Sequence, residues 1–122
     1  MEDRDLYKAK RISDGEWVVG YIIRYGHTGK EKYYIVPTYA SDLYSFLIDS
    51  STICRCTGYA GIYEKDIFQC DDEMYVIEWS DYSLSWEAQA IGNTDNISLG
   101  EFEPDEIYAI GNTIDNPELL EV

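Results

Sequence analysis

The residues richest in chemical potential in this 122-residue chain are aromatic and acidic. Tyr75, Trp79, Tyr82 and Trp86 lie close together in the sequence, interleaved and flanked by Asp71, Asp72, Glu73 and Asp81. An aromatic strip edged with acids is the chemistry that holds Pro-rich peptides bearing basic residues, and ring faces attract cations. Alternation along a strand would place Tyr75, Ile77 and Trp79 on one side and Val76 and Glu78 on the other. Packing in the core competes for the same rings and is the expected use for most Trp in a small β domain. The second constellation is Tyr63-Glu64-Lys65-Asp66. Tyr63 and Asp66 offer a hydroxyl and a carboxylate to a binding edge. The structural alternative is favoured, in which Asp66 accepts backbone N–H groups in the turn that opens the next strand while Ile62 and Ile67 enter the core.

Other chemistries find little support. Paired carboxylates are uninformative in so acidic a chain, because acid–base catalysis needs positioned groups with displaced pKa values. His27, the single histidine, sits in the turn Gly26-His27-Thr28-Gly29 with no Ser or Cys nucleophile signature beside it. Asp71-Asp72-Glu73 lacks the alternating ligands and the Gly of a calcium loop, and no Gly-rich phosphate loop with a Lys occurs. Cys54, Cys56 and Cys70 are odd in number, and their spacing matches neither a zinc ribbon nor a C-x-x-C redox motif. Reduced cysteines are expected, with a regulatory Cys54/Cys56 thiol pair as the alternative. No catalytic residue, metal ligand or cofactor follows, and the expectation is a protein that is not an enzyme.

The elements that must carry these residues read mostly as strands. Residues 7–12 alternate, Ser13-Asp14-Gly15-Glu16 signals a turn, and residues 17–25 are rich in β-branched and aromatic types, which together predict a hairpin. Residues 26–30 make a second turn, and residues 31–36 a third strand ended by Pro37. Residues 41–47 are the one stretch predicted to make a helical turn or two. Period-two runs follow at 52–56, 66–69, 74–79, 84–91 and 106–110, separated by Gly, Asp, Asn and Ser, which suggests a small barrel or sandwich. Ala90-Ile91-Gly92-Asn93-Thr94 recurs as Ala109-Ile110-Gly111-Asn112-Thr113, read as two strands leaving through similar Gly-Asn turns.

The length fits one domain, with an N-terminal β element over 1–47 and a second portion over 48–122. Nine Lys and Arg stand against 24 Asp and Glu, a formal charge of −15. That excludes non-specific nucleic-acid binding, which needs a basic face. Residues 1–48 hold seven charges of each sign, residues 49–65 two of each, and residues 66–122 fifteen acids and no base. A basic partner should therefore meet the C-terminal half. The N-terminus carries no basic region followed by an apolar one, and the longest apolar stretch, residues 17–23, is far short of the ~20 residues of a membrane span. A cytoplasmic protein with no membrane partner is expected.

The run from Ile48 through Thr52, Cys54, Cys56 and Thr57-Gly58, then Gly61-Ile62-Tyr63-Glu64-Lys65-Asp66-Ile67, resembles the signature of the YopX family of phage and prophage proteins. Ala109-Ile110-Gly111-Asn112 with Asn116-Pro117-Glu118-Leu119 resembles the family's closing motif, and Tyr7-Lys8-Ala9-Lys10-Arg11 leading to Gly15-Glu16-Trp17 resembles its opening. Three departures stand out: a short loop at Tyr59-Ala60, Cys54 and Cys56 where Gly or Tyr is common, and Lys65 in place of a Gly. Lys65 argues against a need for positive φ in this turn. The resemblance implies a mainly β fold with a small SH3-type barrel in the C-terminal part, an N-terminal β-hairpin or meander, and a bacterial cytoplasm as the working site. It supplies no reaction.

The expected function is that of a phage or prophage accessory protein that binds a host or phage protein with a basic surface through its acidic C-terminal half. The alternatives are a DNA mimic that occupies the basic cleft of a host nucleic-acid enzyme and, less well supported, a small hydrolase. Self-association through an edge strand is also expected to be open to it, with the charge-balanced N-terminal hairpin as the contact.

Overall fold

Arg11 and Asp14 lock the first turn of the chain. The Arg11 guanidinium donates to both carboxylate oxygens of Asp14, Asp14 accepts the amide of Glu16, and Gly15 takes φ 73, where a side chain would be strained. The turn joins β1 (Tyr7–Lys10) to β2 (Trp17–Tyr25) in the computed structural model, which describes residues 6–26, 29–38 and 45–121. β3 (Lys32–Pro37) pairs along β2, and Gly20 is needed there because a Cβ would collide with the Val36 carbonyl. β4 (Phe46–Leu47) and β5 (Cys54–Arg55) complete an antiparallel sheet of order β4-β3-β2-β1-β5. Ala9, Val18, Ile35 and Ile48 are buried on one face of it, with Ile22, Tyr33, Phe46 and Ile53 packed against them. Lys8 and Lys10 both lie over the Trp17 ring, 4.9 and 5.4 Å from its centroid.

The second sheet is built from β6 (Asp66–Cys70), β7 (Glu73–Ser80), β8 (Ser85–Ala90), β9 (Asn96–Ser98) and β10 (Ala109–Asn112). Its order is β10-β6-β7-β8-β9, antiparallel throughout. Phe68, Tyr75 and Phe102 form a ring cluster with centroids 5.1 to 5.3 Å apart, surrounded by Ile62, Ile77, Ala88, Leu99 and Ile107. Offset and edge-to-face rings at this distance add to the apolar burial that holds a small sheet together.

The chain thus divides into two compact units, 1–56 and 57–122, each with its own sheet and core. Residues 48–56, expected with the C-terminal part, pair instead with the first sheet: β5 bonds to β1, and Ile48 bridges to Arg11. The fold is mainly β, as expected, but the SH3-type barrel is not found. Among the described residues β9 and β10 do not pair, so the second sheet has two open edges. Residues 99–108 are responsible. Two short 3-10 turns, Leu99–Glu101 and Pro104–Glu106, bury Leu99, Phe102 and Ile107 and deliver β10 beside β6.

Three local expectations are corrected. Residues 41–44 of the predicted helical turn lie outside the described residues, and its end, Phe46–Leu47, is a strand because both residues pair with β3. The strand predicted at 106–110 begins only at Ala109, since Pro104–Glu106 makes a 3-10 turn. The repeated pentapeptide has two structures. Gly92 turns the chain after β8 at φ 95, whereas Gly111 lies inside β10 just beyond a register shift.

Candidate interaction site

Tyr63 and Asp66 bracket a tight turn. The Tyr63 amide donates to the Asp66 carboxylate at 2.9 Å, and Asp66, nearly fully buried, donates its own amide to the Tyr63 carbonyl. Between them Lys65 has φ 71, contrary to the expectation drawn from its side chain. The backbone needs the left-handed region here because Lys65 ties three segments: its amide bonds to Ile77 of β7, and its carbonyl accepts from Thr113 after β10. The turn is thus a structural joint.

The other signature residues behave alike. Thr57 Oγ1 accepts the Tyr59 amide and donates to the Ile62 carbonyl, and the Tyr59 hydroxyl donates to the Phe102 carbonyl at 2.6 Å. Asn112 Oδ1 accepts the amides of Ile114 and Asp115, while Asn116 Oδ1 accepts the amide of Asn112. Gly111 is needed beside this knot, since a Cβ there would stand 2.5 Å from Asn116 Oδ1. In the first unit Thr52 Oγ1 accepts the Lys10 amide and donates to the Asp49 carbonyl. Asp49 in turn accepts both the hydroxyl and the amide of Ser51, which hold its carboxyl below the usual range. These side chains satisfy backbone groups that the short strands leave unpaired.

The aromatic and acidic cluster divides along β7. Asp71 and Asp72 form the two-residue loop before β7, with Asp71 at φ 56, and Asp81 follows its far end, roughly 25 Å away for eight extended residues. Tyr75 belongs to the core, where burial pushes its hydroxyl pKa up. Trp79, Asp81 and Trp86 do converge, with Trp86 packed against the core cluster, whereas Tyr82 is not brought to them. Trp79 and Trp86 are direct cross-strand partners, edge to face with centroids 5.3 Å apart, and Trp79 Nε1–H donates to Asp81 Oδ1 at 3.1 Å. Tyr82 is fully exposed at the tip and Trp79 is 37% exposed.

Leu84, 71% exposed at φ 54, and the facing pair Glu78 and Glu87 also belong to this patch and were missed from the sequence. An exposed leucine in a serine-rich turn gives no periodic signal, and the opposition of the two glutamates depends on hairpin register. The sheet narrows here. β6 pairs with β7 only as far as Ile67 opposite Val76, with the Lys65 amide reaching Ile77, and β9 pairs with β8 only as far as Ser98 opposite Glu87. Residues 79–86 are therefore a two-stranded ribbon that extends past its neighbours.

No other described region offers a comparable convergence of the predicted residues. Cys54 and Cys56 are buried, and Cys70 donates to Glu106, which pushes its pKa up and makes it a weaker nucleophile at neutral pH. Among the described residues no group of three or more His, Cys, Asp or Glu is arranged to hold a metal ion. His27 lies outside the described residues. A groove of about 290 Å³ in the first unit is walled by Ile12, Tyr33 and Leu47 with Lys32 and Asp49 at its polar side. No helix among the described residues is long and apolar enough to cross a membrane.

What emerges is an antiparallel β protein whose signature residues are turn and strand joints and whose surface features are acidic and aromatic. The family of the YopX protein matches residues 38–121, all but the last residue of the second unit together with the end of the first, and the chain belongs to that family. No curated protein and no solved structure matches it.

Proposed function

We propose that the chain is a phage or prophage accessory protein, without a reaction of its own, that works in the bacterial cytoplasm by binding a protein with a basic surface through residues 57–122. The observation that carries this reading is the coincidence of charge with structure. Residues 57–122 hold sixteen Asp and Glu against the single Lys65, a formal −15, whereas residues 1–56 hold eight charges of each sign. A one-signed compact unit steers and orients a basic partner and repels acidic ones. The signature residues are already engaged with the backbone, which leaves the acidic face and its aromatic ribbon for contact. Capture from host lysate with the full chain should recover a discrete basic protein; recovery of the same set by a scrambled acidic control would refute it.

A DNA mimic is the second reading, favoured by the near absence of positive charge from a whole unit. It expects duplex DNA to compete for the captured partner and binding to fall steeply with salt.

A further inference from the structure

We infer that Tyr108–Ile110, at the open edge of β10, is the docking site, and that its occupant is an extended partner segment in which apolar residues alternate with Lys or Arg and which adds to the sheet as one more strand; this rests on the acidic-surface reading above. Among the described residues β10 is the last strand on its side of the second sheet. The chain is pinned on both sides of the open stretch, by Ile107 in the core and by Asn112, whose amide and carbonyl are taken by Asn116. Between these anchors Tyr108, Ala109 and Ile110 are consecutive exposed residues, Tyr108 at 71% and Ile110 at 47%. The register shift between Ala109 and Gly111 leaves Ile110 without a partner residue in β6. The edge is therefore already held in place, which lowers the ordering cost of pairing with it. It also lacks the charged side chains and Pro that keep exposed edges from pairing.

Charge selects the occupant. Residues 101–121 hold seven Asp and Glu and no Lys or Arg, and Glu103, Asp105 and Glu106 before the edge and Glu118 and Glu121 after it are all exposed. Two copies paired antiparallel along β10 would set these acids against one another, whereas a basic strand meets them with opposite charge. The bulge keeps the open stretch short, so main-chain bonds, the Tyr108 and Ile110 side chains and the flanking acids must act together.

The test titrates the full chain, at low ionic strength and followed by NMR, with a synthetic peptide alternating Val and Lys and with a peptoid of the same side chains and charge, which carries no main-chain N–H. The peptide should bind at least about fivefold more tightly than the peptoid, the effect of one net hydrogen bond or more, with shifts and new hydrogen-exchange protection concentrated on residues 108–111. Ile110→Lys, at an exposed position, should abolish the preference for peptide over peptoid while leaving the amide signals of the ring cluster in place. Equal binding of peptide and peptoid, shifts centred on another edge or on the turn at 81–84, or dimerisation of the free chain through residues 108–110 would overturn the β10 edge as docking site and leave the acidic-surface reading standing. Binding of neither probe would overturn both.

Discussion

Tyr63 and Asp66 bond to each other twice, the amide of Tyr63 to the carboxylate of Asp66 and the amide of Asp66 to the carbonyl of Tyr63. Positive φ at Lys65, the third residue of this turn, is the mark of a type II turn, where Gly is preferred. Lys65→Gly should therefore stabilise the protein by up to about 1 kcal/mol, since relief of the left-handed penalty outweighs the added freedom of the unfolded chain. Asp66→Ala should cost about 0.5–2 kcal/mol, by analogy with the loss of a capping carboxylate. Urea titrations of the two variants should move in opposite directions, and a loss of stability in Lys65→Gly would contradict the account.

Glu78 and Glu87 face each other across the β7–β8 hairpin, and like charges directly opposite are destabilising. Glu78→Lys should raise stability by about 0.2–1 kcal/mol. Added salt should narrow the gap between variant and wild type, because exposed charges are screened. Thermal melts at low and high ionic strength measure both effects.

Asn112 holds the chain after β10 by accepting the amides of Ile114 and Asp115 through one oxygen. Asn112→Ala should cost about 1–3 kcal/mol, the penalty for orphaning partly buried donors. Asn112→Asp keeps the acceptor but sets a second carboxylate beside that of Asp115, which Asn112 Nδ2 now contacts at 3.3 Å. It should also destabilise, and less so as salt is added.

Acid should weaken the first unit. Asp14 is held below the usual carboxyl range by the Glu16 amide and the Arg11 guanidinium, and Asp49 by the hydroxyl and amide of Ser51. A folded pKa below the unfolded value means that each contribution is fully present above the unfolded value of about 3.9 and is lost as pH falls through the folded one. Protection of the β1 and β2 amides in hydrogen exchange should fall as pH drops below about 4 once intrinsic rates are removed. Asp14→Asn should flatten that fall.

Strand content was legible because β1, β2, β3 and β8 carry alternating stretches where one side meets a core, and because β6 and β7 carry short apolar runs bounded by turn residues. β9, only Asn96–Ser98, is too short to show a period, and Phe46–Leu47 is a strand only through its partner β3. The role of Asp66 as a backbone acceptor followed from turn chemistry, whereas the conformation of Lys65 is set by Ile77 and Thr113, both distant in sequence. The aromatic cluster was visible as composition. Its division depends on strand length: Tyr75 lies where β7 is flanked on both sides, and Trp79 lies where the flanking strand has ended.

The second sheet narrows at the Trp79 and Trp86 pair, and beyond it only the turn at residues 81–84 stands clear of the core. The ring cluster of Phe68, Tyr75 and Phe102 and the joints at Lys65 and Asn112 all lie outside residues 79–86. Trp86 anchors the hairpin to that core, so the exchangeable part is the turn at residues 81–84, and a different sequence grafted there would change what the surface presents without asking the scaffold to fold anew.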